Sequence, residues 1–227
     1  MTRKTTSFDW TTIFGCALTV ACFAAAAMLY DKLPGMLPVH WGLHGNANRF
    51  MAKPWGVYIY PIIVGAMLIL KVVLPAISPR AFAIEPFKRT FNILMTALLL
   101  FSAYLMGVVY AHALGADIPV GRAVIAGLGA LFVVIGNFLG KVTKNFFIGI
   151  RTPWTLANDD VWFKTHRLGG WLMVLCGFVT IAVAILGRFY PAMIAALGIA
   201  IVVPVVYSLV LGLRLDRADK HDELKDG

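Results

Sequence analysis

The sequence predicts an all-α, polytopic membrane helix bundle of six transmembrane helices with both termini in the cytoplasm. Hydrophobic residues make up 60% of the 227 residues, and the mean hydropathy is +0.81. Soluble domains hold about 45–50% apolar residues. Charged residues make up only 14% and fall in short clusters between uncharged runs. Each run is about 20 residues long, which is the length that crosses the hydrocarbon as a helix.

Six such runs divide the chain, and they are separated by two long loops and by shorter connections. The gap between the fifth run and the sixth is very short, which predicts a tight helical hairpin. What remains outside the runs is too little for a soluble domain, so residues 1–227 are predicted to form a single integral membrane domain. The runs are Thr12–Tyr30, Trp55–Leu74, Phe91–Ala113, Ala123–Gly140, Leu168–Gly187 and Tyr190–Leu211.

The placement of lysine and arginine predicts the orientation, because cytoplasmic loops carry an excess of these residues. With the N-terminus inside, fourteen of them face the cytoplasm and five face outward. Lys71 is counted on neither side, because it lies within the second run, about one turn from the inner end. Its long side chain is expected to bring the ammonium group to the headgroups. The inner residues are Arg3, Lys4, Arg80, Lys88, Arg89, Lys141, Lys144, Arg151, Lys164, Arg167, Arg214, Arg217, Lys220 and Lys225, and the outer ones are Lys32, Arg49, Lys53, Arg122 and Arg188.

This orientation puts the loop of residues 31–54 outside the cell. Pro34 and Pro38 disfavour helix in the residues before them, so the stretch that includes Pro38, His40 and Trp41 is predicted to run extended. Gly42, Gly45 and the Asn46-Ala47-Asn48 cluster supply turns. One interpretation has one histidine hydrogen-bonded within a compact loop and the other in solvent, and another has the loop contacting an extracellular ligand.

No metal site is predicted from His40 and His44. No glutamate follows His40, so the zinc-protease pattern H-E-x-x-H is missing, and a zinc site needs three or four ligands.

The loop of residues 141–167 is cytoplasmic in the same scheme. A short apolar stretch interrupted by Gly149 is expected to lie in the interface or to re-enter the membrane shallowly. Arg151 follows, and its guanidinium must find carbonyls, a carboxylate or a phosphate. Thr152 and Pro153 predict a turn that Trp154 anchors.

A helix is predicted to begin at Asn158, which is a good N-cap residue, and to continue into the fifth run. Asp160 and Lys164 are four residues apart and can pair, and Trp162 and His166 share a face of this helix. An aromatic and basic belt at the interface accounts for the composition. The specified turn and the capped helix favour instead a surface presented to a partner, or a gate over a cavity.

The runs themselves contain little that suggests chemistry. None has an acid or base near mid-depth, which argues against an ion-coupled transporter. Small residues at helical spacing, Ala103, Gly107 and Ala111 in the third run and Gly136 and Gly140 in the fourth, are expected to pack within the bundle rather than between molecules. The three cysteines, Cys16, Cys22 and Cys176, lie within the runs and are interpreted as small hydrophobic residues.

Two stretches resemble a known family. NFFIGIRTPWTLANDDVWFKTHRLGGW, residues 145–171, is similar to the signature of the SdpI family, and LPVHWGLHGNANRF, residues 37–50, resembles its companion outer-loop domain of unknown function, with the pattern P-x-H-W-x-x-x-G. The resemblance implies a multi-pass protein of the bacterial cytoplasmic membrane with no cofactor. It marks as ligand- or partner-binding residues Pro38, His40, Trp41, Gly45, Asn145, Gly149, Arg151, Thr152, Pro153, Trp154, Trp162, His166 and Arg167.

The function that the resemblance implies is immunity to a secreted, membrane-active peptide toxin, together with signalling in which a small winged-helix repressor is sequestered at the cytoplasmic face. Membrane lipids are the other expected partners, and direct binding of nucleic acid is not expected. Many relatives are expected to have an acidic residue where this chain has Asn46-Ala47-Asn48.

Two other functions remain open. One is a transporter of small solutes or lipids with the inner loop as its gate. The other is an intramembrane enzyme, which is disfavoured because the sequence has no Ser/His/Asp set, no paired carboxylates within a run and no phosphate-binding glycine loop.

Overall fold

The computed structural model describes residues 9–42, 46–188 and 190–226, with side chains up to Leu215. The chain forms seven α-helices and one β-hairpin within these ranges. In chain order they are α1 (Trp10–Leu29), β1 (Met36–Trp41), β2 (Ala47–Ala52), α2 (Trp55–Ile77), α3 (Lys88–Ala113), α4 (Val120–Leu139), α5 (Pro153–Ala157), α6 (Asp159–Leu186) and α7 (Tyr190–Asp226). Short 3₁₀ turns at Tyr30–Lys32, Arg80–Phe82 and Glu85–Phe87 join some of them.

The six long helices confirm the predicted spans. α1, α2, α3, α4, α6 and α7 are each long and apolar enough to cross a membrane, with mean hydropathies from 1.9 to 2.6 over their apolar segments. The chain is therefore a multi-pass protein of the cell membrane.

Two helices extend well beyond the predicted runs. α6 begins at Asp159, nine residues before the apolar run, because Asn158 caps it: the Asn158 side chain accepts hydrogen bonds from the backbone N–H groups of Asp160 and Val161. α7 continues to Asp226. No proline or glycine follows Gly212 before the last residue of the chain, so nothing in the charged segment stops the helix.

Two compact units divide the chain, and α3 and α4 each contribute to both. The first unit contains the described residues of Met1–Ala76 and Asn92–Gly127. Its core is built from fully buried aliphatic side chains on the hairpin and on three helices. These include Ala26, Leu37, Val57, Val64, Leu99 and Val109.

The hairpin of the first unit confirms the predicted extended backbone at Pro38–Trp41 and adds a pairing that was not predicted. β1 and β2 are antiparallel, with Leu37 opposite Met51 and His40 opposite Arg49. The Tyr60 hydroxyl of α2 donates a hydrogen bond to the Pro38 carbonyl at 2.6 Å, which ties the strand to the helix below it.

The prediction that Lys71 reaches the headgroups is wrong. Its side chain is 2% exposed and ends in the first unit beside the beginning of α1. The Lys71 Nζ atom donates to Thr12 Oγ1 at 2.6 Å and lies 3.4 Å from Asp9 Oδ1. Asp9, which caps α1, supplies a carboxylate that balances the charge locally, so the ammonium group does not need to reach solvent.

The second unit contains Ile77–Phe91 and the described residues of Leu128–Gly227. α4 and α6 approach closely here through two reciprocal glycine pairs. A Cβ atom built at Gly136 would lie 2.6 Å from the Gly170 carbonyl oxygen, and one built at Gly177 would lie 2.6 Å from that of Gly129. The expected packing role of Gly136 is confirmed. Gly107, by contrast, has open space around it within its own unit.

Candidate functional site

The loop between α4 and α5 begins with a buried asparagine that organises the backbone around it. The Asn145 side chain is fully buried. Its Nδ2 donates to the carbonyls of Thr143 and Ile148, and its Oδ1 accepts from the N–H groups of Phe147 and Ile148 at 2.8 and 2.7 Å. An amide side chain offers two donors and one double acceptor, so all its capacity is used. Aspartate or glutamine could not make the same four contacts.

A histidine on α6 fixes the other end of this loop. The His166 Nδ1 atom lies 2.7 Å from the Trp162 carbonyl, and Nε2 lies 2.9 Å from the Ile150 backbone nitrogen. An N–H group can only donate, so Nε2 must be the acceptor and the proton resides on Nδ1. His166 is therefore neutral, and both of its ring nitrogens are used.

Gly149 lets the loop backbone come this close to the imidazole. Its φ is +118°, and a Cβ atom at this position would collide with His166 Nε2. Both the backbone angle and the short approach require glycine. The glycine and the histidine therefore form one structural unit, although seventeen positions separate them in the chain.

Trp162 packs against the ring of His166. Its side chain is fully buried, its ring stacks on that of His166 with centroids 4.0 Å apart, and its Nε1–H donates to the Val142 carbonyl at 2.7 Å. The predicted shared face of Trp162 and His166 is confirmed. The tryptophan connects α6 to the end of α4, on the other side of the loop.

Residues 153–157 form the short helix α5, where the sequence predicted only a turn. Pro153 occupies the first turn, and Thr152 and Thr155 cap it reciprocally. The Thr152 hydroxyl accepts from the Thr155 N–H at 3.2 Å, and the Thr155 hydroxyl accepts from the Thr152 N–H at 2.9 Å. Reciprocal capping satisfies two of the donors that a helix start leaves free, which explains why five residues suffice.

α5 also contacts α7. The Thr152 and Ser208 hydroxyl oxygens are 3.1 Å apart, and a Cβ atom at Gly212 would lie 2.6 Å from the Trp154 ring. Sequence reasoning missed Thr155, Ser208 and Gly212 as parts of this site. The T-x-x-T spacing at 152–155 was the available signal for the first. Nothing local in the sequence points to the two residues of α7.

Another contact joins the loop to the 3₁₀ turn at Arg80–Phe82. The rings of Phe82 and Phe146 lie with centroids 3.9 Å apart. The segment of residues 77–91 thus belongs to the same unit as the loop and borders it. No sequence pattern predicts this contact.

The side chains that remain exposed around this loop include four cations, Lys141, Arg151, Lys164 and Arg167, and two acids, Asp159 and Asp160. Arg151 and Arg167 are exposed, and the Arg151 guanidinium donates back to the Phe146 carbonyl. Lys144 pairs with Asp159 at 2.7 Å, and Lys164 pairs with Asp160 at 3.2 Å, as predicted for the second pair. We call the other exposed cations of this region, Lys141, Arg151 and Arg167, the basic face.

The predicted residues of the outer loop lie in the first unit, on β1. The Pro38 carbonyl is bonded to Tyr60, and the His40 Nδ1 atom lies 2.6 Å from Asn48 Oδ1. Trp41 is half-buried. Gly45 and His44 lie outside the described residues. Across the described ranges, no group of three or more histidine, cysteine, aspartate or glutamate side chains could hold a metal ion.

Two family profiles match the segments that contain the two loops. The profile of the SdpI/YfhL protein family matches residues 141–208, and that of a domain of unknown function, DUF1648, matches residues 17–65. The chain is 26% identical to the immunity protein SdpI of Bacillus subtilis (strain 168) over 176 residues, which is 76% of this chain and 80% of that protein. No solved structure matches the chain significantly.

Proposed function

We propose that this chain, a multi-pass cell-membrane protein similar to the SdpI/YfhL family, gives a bacterial cell immunity to a secreted, membrane-active peptide toxin. The observation that carries the proposal is the similarity to the immunity protein of Bacillus subtilis over 76% of this chain, together with the match of residues 141–208 to the SdpI/YfhL profile. The residues that hold the loop between α4 and α6, including Asn145, Gly149, Trp162 and His166, all fall in the matched part.

The faces of the membrane on which the two loops act follow from charge. We place both termini and residues 141–167 in the cytoplasm, and residues 31–54 outside, because fourteen lysines and arginines then face inward against five outward. A toxin that arrives from outside would meet the hairpin first. A cytosolic partner would meet the basic face.

The basic face supports a second role, the capture of a cytosolic repressor. Arg151 is exposed on a loop whose backbone is fixed by hydrogen bonds to the buried Asn145 and His166 side chains, and Arg167 is exposed on α6. A preformed cationic surface favours association with an acidic patch on a partner. A gate would instead need a loop free to open. The same hydrogen bonds therefore favour a docking surface over the gate of a transporter.

Survival of sensitive cells tests the immunity role. A strain without immunity genes, carrying this gene on a plasmid, is exposed to a panel of secreted membrane-active bacterial peptides. We expect protection against at least one peptide, and loss of that protection in His166→Phe at equal protein levels in the membrane. The proposal is wrong if the gene changes survival with none of them.

Pull-down from membranes tests the repressor role separately. Protein carrying Arg151→Ala should recover less of the cytosolic partner than wild type from toxin-treated cells. Lys88→Ala, which removes another exposed cation of the same unit, is the matched control. If wild-type protein recovers no cytosolic protein under treatment, capture is not part of the function, whatever the survival assay shows.

A further inference from the structure

A cavity of about 320 Å³ lies within the first unit, against the inner side of β1. Three helices and the strand contribute to its wall. The lining residues are Val39, His40 and Trp41 of β1, Tyr60 and Ile63 of α2, Ser102 and Leu105 of α3, and Val124 of α4. Three consecutive strand residues take part because the hairpin register is irregular on both sides of His40.

The wall reaches the depth of the acyl chains. Tyr60 and Ile63 lie five and eight residues after the start of α2, which is about 8 and 12 Å along the helix axis. Val124 lies four residues into α4, about 6 Å along it. Both helices cross the membrane, and Ile63 is 40% exposed within the protein. The medium at this depth is lipid hydrocarbon rather than water.

The two hydroxyl groups of the wall already have partners, and four lining residues, Val39, Ile63, Leu105 and Val124, are aliphatic. The Tyr60 hydroxyl donates to the Pro38 carbonyl, and the Ser102 hydroxyl donates to the Leu98 carbonyl at 2.9 Å. A polar guest would find few groups to replace its water, so an apolar guest fits better. The volume is at the low end of about 300–1,000 Å³ for small-molecule sites, which suits one chain or ring rather than a whole amphiphile.

An arginine lies across the hairpin from the rim of the cavity. His40 is exposed at the rim, and Arg49 lies directly across from it in the hairpin and is also exposed. A guanidinium group binds phosphate oxygens through two parallel hydrogen bonds. An apolar cavity next to an arginine complements a molecule with one apolar chain and an anionic head.

We propose that this cavity holds one acyl chain of an anionic phospholipid, whose phosphate contacts Arg49. The occupant is a membrane lipid because the wall lies at hydrocarbon depth and the exposed Arg49 pairs with His40, which lines the cavity. Neither the immunity role nor the repressor role is needed for this inference.

Tryptophan quenching by brominated lipid tests the proposal. The protein is placed in nanodiscs containing phosphatidylglycerol or phosphatidylcholine with brominated chains, at equal mole fractions. The Trp41 signal is obtained as the difference between wild type and Trp41→Phe. Both lipids have a phosphate, but only phosphatidylglycerol has a net negative charge, and one arginine near anionic lipid contributes about 1 kcal/mol. We therefore expect brominated phosphatidylglycerol to quench this signal with about fivefold preference over zwitterionic phosphatidylcholine.

Variants test the contribution of the lipid acyl chain and that of the headgroup separately. Val124→Phe fills the cavity and should protect Trp41 from both brominated lipids, whereas Ile125→Phe, its neighbour outside the lining, should not. Ser102→Leu is a milder filling variant in case Val124→Phe does not fold. Arg49→Gln should abolish only the preference for phosphatidylglycerol, with Lys32→Gln as the exposed control on the same loop.

Three results would overturn the assignment. Unchanged quenching in folded Val124→Phe or Ser102→Leu would show that no acyl chain enters the cavity. Equal quenching of wild type by the two lipids, or an unchanged preference in Arg49→Gln, would show that Arg49 does not select an anionic headgroup. If Trp41 emission resists both lipids but shifts when a synthetic cationic amphipathic peptide is added, the cavity takes peptide and not lipid.

Discussion

The Nε2 atom of His166 lies 2.9 Å from the backbone nitrogen of Ile150 and accepts its hydrogen bond. This single contact joins the apolar stretch of the loop to α6. It also sets the tautomer of the ring, whose other nitrogen donates to the Trp162 carbonyl. Because the ring is fully buried, water cannot replace it as the acceptor for Ile150. The shape of the loop therefore depends on a neutral histidine at position 166.

Replacing His166 by phenylalanine should open the loop. The ring still stacks on Trp162, but the Ile150 N–H loses its acceptor, which costs about 1–3 kcal/mol for a buried donor. We expect trypsin to cleave faster after the exposed Arg151. His112→Phe, at the exposed end of α3, is the control and should cleave at the wild-type rate. Equal rates for both variants would mean that the contact does not hold the loop.

Gly149→Ala should be more damaging than other glycine substitutions at positive φ. The new methyl group adds the strain of a left-handed backbone, about 1–2 kcal/mol, and also meets the imidazole. Gly115→Ala is a matched control, because Gly115 has a φ of +98° but open space around it.

Thermal unfolding of the purified protein in detergent measures the difference between these two glycine variants. The midpoint should fall further for Gly149→Ala than for Gly115→Ala. Equal losses would assign the effect to backbone strain alone.

Features that depend on neighbouring residues could be predicted from the sequence. Hydropathy located the six spans, and the one-turn spacing of Asp160 and Lys164 predicted their ion pair, which is confirmed. Asn158 predicted the start of α6 through its capping preference, also confirmed. Each of these depends on interactions within about one helical turn or on transfer from water to lipid, both of which a single sequence reports directly.

Features that depend on distant residues could not be predicted. Asp9 and Lys71 are 62 positions apart, so their ion pair was not predicted. The position of Lys71 near the end of a run suggested instead that its ammonium group lies among the headgroups. The pairing of β1 with β2 was missed because proline interrupts the first strand and the alternation of apolar residues is weak. The assignment of Pro38, Arg151 and the other marked residues to binding stays a prediction, since geometry shows their contacts but not their ligands.

The glycine pairs between α4 and α6 predict a sharp difference between two positions one turn apart. A Cβ atom at Gly136 would lie 2.6 Å from the backbone oxygen of Gly170, whereas one at Gly140 has its nearest neighbour at 3.5 Å, the Arg167 Cα. Backbone atoms cannot move aside as side chains can. Overpacking of this kind costs about 1–3 kcal/mol.

Gly136→Ala should therefore lower the thermal midpoint in detergent, while Gly140→Ala should leave it near that of wild type. Size-exclusion chromatography after heating measures the fraction of protein that remains monodisperse, and this fraction as a function of temperature gives the midpoint. A Gly136→Ala protein as stable as the Gly140→Ala protein would show that the helices are not held by this close approach.

Asp9 and Lys71 should respond unequally to mutation. Asp9→Asn leaves a lysine that is 2% exposed without a counter-charge, whereas Lys71→Met leaves a carboxylate that is 24% exposed and bonded to Thr11, Thr12 and Asn92. Breaking a buried pair costs about 3–5 kcal/mol, and the exposure of Asp9 places this pair at the low end.

Asp9→Asn should be the more destabilising single change, and the double variant should be less destabilised than the sum of the two single variants. Thermal unfolding of the three proteins, compared with wild type, measures this coupling. Additive losses would mean that the two charges do not interact.

The same carboxylate predicts a pH dependence. Burial raises the pKa of Asp9, but the hydrogen bonds from Thr11 and Thr12 and the charge of Lys71 outweigh it and hold that pKa below its ordinary value. A depressed pKa stabilises the folded state fully above the unfolded value of about 3.9 and loses this effect as the pH falls toward the folded value. The gap in thermal midpoint between wild type and Asp9→Asn should be constant from about pH 5 to 8 and should narrow below about pH 4.

Labelling of single cysteines in intact cells tests the proposed faces. His40→Cys and Arg151→Cys each place a thiol at an exposed position, while the native Cys16, Cys22 and Cys176 lie within the spans. A membrane-impermeant maleimide should label His40→Cys in whole cells and Arg151→Cys only after lysis. Native protein without an added cysteine gives the background, because a thiol within hydrocarbon is shielded and only the thiolate reacts. Labelling of Arg151→Cys but not His40→Cys from outside would invert the orientation, and the basic face could then not meet a cytosolic repressor.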